Sequence, residues 1–139
     1  MTSTKAKTRH ESQLGAAECG TVAIVGLGLL GASLGQCLRR SQWPGRVLGY
    51  ARRTESVREA LRKGMIDEGS TAPEDVLPHA DLTVICIPVT AIISFVQRYA
   101  SLWRRGAVVT DVGSVKAEIT KGVRPVLAPC TVHFVGSHP

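Results

Sequence analysis

Three glycines spaced as Gly26-Leu27-Gly28-Leu29-Leu30-Gly31 form a G-x-G-x-x-G pattern. This spacing suits a pyrophosphate. The first glycine permits a tight turn, the second has no Cβ to hold a phosphate off the backbone, and the third lets a helix pack close to its strand. The amides of the first helical turn then face the anion, favoured by the helix dipole. Further along stand Arg52 and Arg53, which can hold a phosphate through charge-assisted, bidentate hydrogen bonds. Ser114 lies in Asp111-Val-Gly-Ser114-Val-Lys116, and His138 in Gly136-Ser-His138-Pro139. An imidazole titrates near neutrality and suits proton transfer. Each feature also has a plainer role: a glycine-rich turn, solvated arginines, Ser114 or Asp111 capping a helix, a structural histidine.

The glycines have this meaning only if a strand precedes them and a helix follows. Residues 21–25 are an apolar run ending at Gly26 and read as a buried strand. Residues 29–41 read as a helix, with Leu30, Leu34, Cys37 and Leu38 on one apolar face. Pro44-Gly45 breaks the chain, and residues 46–50 form a second strand. Ser56-Val-Arg-Glu59 has the pattern of a capping box opening a second helix, which stops at Gly64 after Arg62 and Lys63. Residues 65–67 are a short third strand and 73–79 a loop or single turn. Residues 82–87 are a buried strand stopped by Pro88, and 91–102 a third helix. Residues 106–110 are another strand, 115–121 a short helix, and 132–135 the last strand. Strands that are nearly all apolar, alternating with helices, predict an α/β fold, a Rossmann-type doubly wound parallel sheet with helices on both faces. Ligands of such sheets bind at the carboxyl ends of the strands, and every motif named above falls at such an end.

A chain of 139 residues, 44% hydrophobic with only 4% aromatic residues, fits one domain with an aliphatic core. Residues 1–19 are polar, without apolar periodicity, and read as a flexible tail; residues 20–139 are the dinucleotide-binding domain. With no apolar run of membrane-spanning length and no secretory leader, a cytoplasmic protein is expected, without a membrane partner. Cys19, Cys37, Cys86 and Cys130 form no CxxC pair and read as free, mostly buried thiols, so no metal site is expected.

Residues 36–63 carry eight Lys and Arg against two Glu, an excess equal to the net charge of +6 of the whole chain. Nucleic acid is one partner for such a segment, but no recognition motif accompanies it. The tip of the second strand offers a local explanation. An NAD site usually has an acid there for the ribose hydroxyls, and an NADP site often an arginine. Ala51 stands at that position, followed by Arg52 and Arg53. NADP is therefore preferred, while NAD stays open because an arginine can also stack on adenine. Ile87, Pro88 and Val89 follow the fourth strand, where Pro88 forces a turn and offers an apolar wall beside the cofactor.

GLGLLGASL, then DVGSVK, then FVGSHP resembles the prephenate/arogenate dehydrogenase family, over residues 21–139. The resemblance implies oxidative decarboxylation of prephenate or arogenate with NADP or NAD, yielding 4-hydroxyphenylpyruvate or tyrosine. It implies that His138 is the catalytic base, taking the proton of the ring hydroxyl as hydride leaves the same carbon, and that Ser114 supports it beside the cofactor. It also implies a second, helical domain that grips the substrate carboxylates and forms most of a homodimer interface. That domain is missing from these residues, so the chain reads as a fragment with little turnover of its own. Two other readings compete: a non-catalytic NADP-binding sensor module, which leaves Ser114 and His138 without a role, and an NADP-dependent dehydrogenase of the 3-hydroxyacid type, for which the G-S-H-P ending would be coincidence.

Overall fold

The computed structural model describes residues 20–137. The tail assigned to residues 1–19, the catalytic role expected of His138, and Pro139 lie outside the described residues. Among the described residues six strands, β1 (Val22–Val25), β2 (Val47–Tyr50), β3 (Glu68–Ser70), β4 (Leu82–Ile85), β5 (Val108–Asp111) and β6 (His133–Gly136), alternate with four α-helices. These are α1 (Leu29–Arg40), α2 (Thr54–Arg62), α3 (Val89–Tyr99) and α4 (Lys116–Leu127). Every strand pair is parallel, in the order β3-β2-β1-β4-β5-β6. This is the Rossmann order, and its direction of winding reverses between β1 and β4.

Side chains alternate across a strand, and the strands use that alternation to build two cores. Ala23, Val25, Leu48 and Tyr50 face one side with Ile92 and Val96 of α3 and Ile119, Val123 and Leu127 of α4. Ile24 and Val47 face the other with Ala60 of α2 and Met65 and Ile66, against which Leu34 and Leu38 of α1 pack. Sheet faces covered by helices on both sides require apolar residues at every strand position, which is why β1 and β2 are buried throughout. The indole N–H of Trp103 donates to Thr83 Oγ1 at 2.8 Å, satisfying both buried polar groups.

Several local expectations are corrected. The third strand is Glu68–Ser70 and not 65–67. Met65 and Ile66 are buried, but as a hook that closes under α1, where Met65 O would lie 2.6 Å from a Cβ at Gly35. Ser56-Val-Arg-Glu59 is no capping box: α2 starts at Thr54, its N-cap is Arg53, and Glu59 pairs with Lys63 at 2.8 Å. The last helix does not stop at residue 121 but runs to Leu127, through Gly122 and Pro125. Gly122 is an approach point, since a Cβ there would meet the Ile93 side chain of α3 at 2.7 Å. On α1 the residues buried on the sheet are Gly31 and Gly35, whereas Leu30 and Cys37 are exposed. Cys37 is therefore not a buried thiol. Cys86 and Cys130 are partly buried and free.

Candidate dinucleotide site

The strand register sets one row of residues across the whole sheet. Ser70, Tyr50, Val25, Ile85, Asp111 and Gly136 are successive neighbours at the carboxyl end. Each stretch singled out in the sequence leaves the sheet just after this row, or ends on it: the glycine turn after Val25, Ala51 and Arg52 after Tyr50, Ile87 and Pro88 after Ile85, and the Ser114 segment after Asp111.

At the reversal point the loops after β1 and β4 touch. Gly26 has φ +98°, and a Cβ there would lie 2.9 Å from both Cys86 O and Ile87 Cγ2. Only glycine suits such a backbone. A Cβ at Gly31 would collide with the Gly26 carbonyl oxygen. Gly28, the N-cap of α1, differs: a Cβ there meets nothing within 4 Å. The protein itself does not demand glycine at position 28; a group bound over the turn would. Leu27 packs into the core on the α1 side, while Leu29 and Leu30 at the start of α1 are 86% and 57% exposed.

Beside this turn lies a cavity of about 430 Å³, within the range of small-molecule sites. Its walls include Arg52 after β2, Ile87 and Pro88 after β4, and Phe95, Arg98 and Tyr99 on α3, with Tyr50 among them. The rings of Tyr50 and Phe95 are 5.6 Å apart, and those of Phe95 and Tyr99 4.9 Å. Burial pushes the Tyr50 phenol above its ordinary range, as do Tyr99 and Glu74, while Arg52 and Arg98 oppose the shift. Ala51 is buried, and Val89 opens α3 half-buried against the core. Arg53 is the N-cap of α2 and lies 3.8 Å from Glu55, with both side chains exposed; it is not among the residues lining the cavity. The sequence reading missed Tyr50, Phe95, Arg98 and Tyr99.

On the other side of the reversal point, Asp111 is fully buried. Its carboxylate accepts the Gly113 N–H at 2.8 Å and Lys116 Nζ at 2.7 Å from both oxygens. Its carbonyl accepts the Ser137 hydroxyl at 2.7 Å, and Thr110 Oγ1 donates to Ser137 Oγ at 3.1 Å. The end of β5 thus holds the chain immediately before His138. Ser114 is exposed two residues ahead of α4 and does not cap it; the N-cap is Val115, without a side-chain cap. Among the described residues no cluster of His, Cys, Asp and Glu could hold a metal, and no helix is long and apolar enough to cross a membrane.

A glycine turn at the winding reversal, with a cavity beside it, defines a dinucleotide-binding α/β domain. Comparison with known proteins narrows the class. The family model described as prephenate dehydrogenase, nucleotide-binding domain, matches residues 34–139. The chain belongs to the prephenate dehydrogenase family, through its nucleotide-binding domain. It is 27% identical over 119 residues to prephenate dehydrogenase of Lactococcus lactis subsp. cremoris, a match covering 85% of this chain and 33% of that protein. Among solved structures it resembles prephenate dehydrogenase from Aquifex aeolicus in complex with hydroxyphenyl propionate and NAD+, at 35% identity and a TM-score of 0.77, covering 86% of this chain and 41% of that one. Arogenate dehydrogenase from Synechocystis matches with a TM-score of 0.77 at 29% identity, covering 86% and 40%. The chain spans about a third of the length of the curated relatives it matches.

Proposed function

We propose that this chain is the cofactor-binding part of a prephenate or arogenate dehydrogenase and that it prefers NADP to NAD. One observation carries the binding reading: of the three motif glycines, two are packed against the protein, and Gly28 alone faces open space. A turn kept free of a side chain at that point fits a pyrophosphate against the backbone and the first amides of α1. The cavity walls fit the adenosine half, and the absence of an acid at Ala51, followed by Arg52, favours the 2′-phosphate. NAD+ in the Aquifex aeolicus complex supports the cofactor class.

When bound, the nicotinamide supplies a hydride acceptor. The chain's own residues hold the cofactor and face the reacting carbon. The glycine turn and α1 fix the phosphates, and Ile87 and Pro88 exclude water from one wall. In this reading His138 takes the proton of the substrate's ring hydroxyl as the carboxylate leaves as carbon dioxide, and Ser114 orients the imidazole or the hydroxyl. Positioning is the main task, since aromatisation drives the step. The reading carries a cytoplasmic location and a homodimeric full-length enzyme.

Calorimetric titration with NADP and NAD, at low and moderate salt, tests it. Tighter binding of NADP, weakened by Arg52→Ala, is the expected result. Tighter NAD binding that ignores Arg52→Ala removes the NADP preference, and binding of neither removes the cofactor reading.

A further inference from the structure

Several basic side chains among the described residues pair with an acid. Arg39 pairs with Asp67, Arg46 with Glu68 at 2.7 Å, Lys63 with Glu59 at 2.8 Å, and Arg104 with Asp81. Arg52 and Arg98 differ. Both line the 430 Å³ cavity, from opposite elements, and neither has a carboxylate within ion-pair distance among the described residues. Tyr50 lines the same cavity, and both charges oppose the rise that burial gives its phenol. Arg98 is braced there: its guanidinium carbon lies 5.5 Å from the centroid of the Tyr99 ring. A braced guanidinium gives up little freedom when it binds, and two of them can grip one phosphate from two sides.

We propose that Arg98 of α3 is a second determinant of cofactor choice, closing with Arg52 on the adenosine 2′-phosphate of NADP. The inference rests on the NADP reading above and adds a residue outside the glycine turn and the β2 tip.

The test is calorimetry on the whole chain with NADP, NAD, and the fragments adenosine 2′,5′-bisphosphate and 5′-AMP. Arg98→Ala is expected to weaken NADP and the bisphosphate about tenfold or more, as the loss of a charge-assisted hydrogen bond does, while NAD and 5′-AMP change less than about twofold. Arg98→Lys keeps the charge without the fork and recovers part of the loss. Equal weakening of all four ligands, with Arg98→Lys recovering nothing, overturns the proposal, because Arg98 then supports only the aromatic wall. A silent Arg98→Ala beside an effective Arg52→Ala also overturns it and leaves the NADP reading standing. A wild-type chain that prefers NAD, or binds neither dinucleotide, overturns that reading and the clamp together. Thermal unfolding of each variant separates a lost contact from a lost fold.

Discussion

Lys116 reaches back across the loop to Asp111 and donates to both of its carboxylate oxygens at 2.7 Å, although Asp111 is fully buried and Lys116 only partly so. The pair joins the last residue of β5 to the first residue of α4 and encloses the Ser114 segment between them. The Gly113 N–H satisfies the same carboxylate from inside the loop, so the anion is held by a cation and by backbone.

Removing the cation leaves a buried charge without its partner. Lys116→Met is expected to lower stability by about 3 kcal/mol, the low end for breaking a buried pair, because the lysine is partly exposed. Asp111→Asn added to it restores part of the loss, since an amide oxygen can still accept the Gly113 N–H while the charge is gone. Urea unfolding of the two single variants and the double variant measures this coupling. Additive losses would mean that the pair contributes geometry without coupling energy.

The motif glycines predict a separation between folding and binding. Gly31→Ala places a methyl group on the Gly26 carbonyl oxygen, which neither backbone can avoid. A loss of about 3 kcal/mol or more in stability is expected, whatever the ligand. Gly28→Ala meets nothing in the protein and costs about 1 kcal/mol or less as a poorer N-cap. Its dinucleotide affinity should nevertheless fall about tenfold or more, because the methyl group stands where the pyrophosphate would lie. Thermal unfolding and calorimetry on both variants distinguish these effects. Unchanged cofactor affinity in Gly28→Ala would remove the pyrophosphate from that turn.

Much of this arrangement is legible in the residues because parallel strands buried on both faces have no polar side to confuse them: residues 21–25 and 82–87 announce β1 and β4 within two residues. Edge and cap features are harder. Glu68-Gly-Ser70 is a strand at the border of the sheet, without an apolar signal, whereas the apolar Met65 and Ile66 just before it serve the core as a hook. Ser56 and Ser114 have cap-forming side chains, yet β2 and β5 deliver the chain so that α2 begins before Ser56 and α4 after Val115. Gly122 and Pro125 look like helix breakers. Gly122 gives α3 room to bring Ile93 against α4, and Pro125 stands in the last turn, where its missing N–H leaves the Lys121 carbonyl without a helical partner. Arg98 carries no local signal at all. It becomes part of a site only once the strand order brings α3 beside the tip of β2, with Ala91, Ser94 and Phe95 on the same helical face.

Acid should act on a second carboxylate, far from the site. Asp67 accepts the Val47 N–H at 2.7 Å and pairs with Arg39, tying the end of α1 to the start of β2. Burial alone would raise its pKa, but the Val47 amide and the Arg39 guanidinium outweigh burial and hold the group below its ordinary 3.8. A carboxylate with a folded pKa below its unfolded value binds fewer protons in the native state. Its contribution is therefore complete above 3.8 and is lost as pH falls through the depressed folded value. The side chain is a third exposed, so after screening the contribution is on the order of 1 kcal/mol. Urea unfolding of wild type and Asp67→Asn from pH 7 down to pH 3 should give two curves that differ by that amount at neutrality and converge in acid. Curves that stay parallel throughout would show that Asp67 acts through packing, with no share in the protonation linkage.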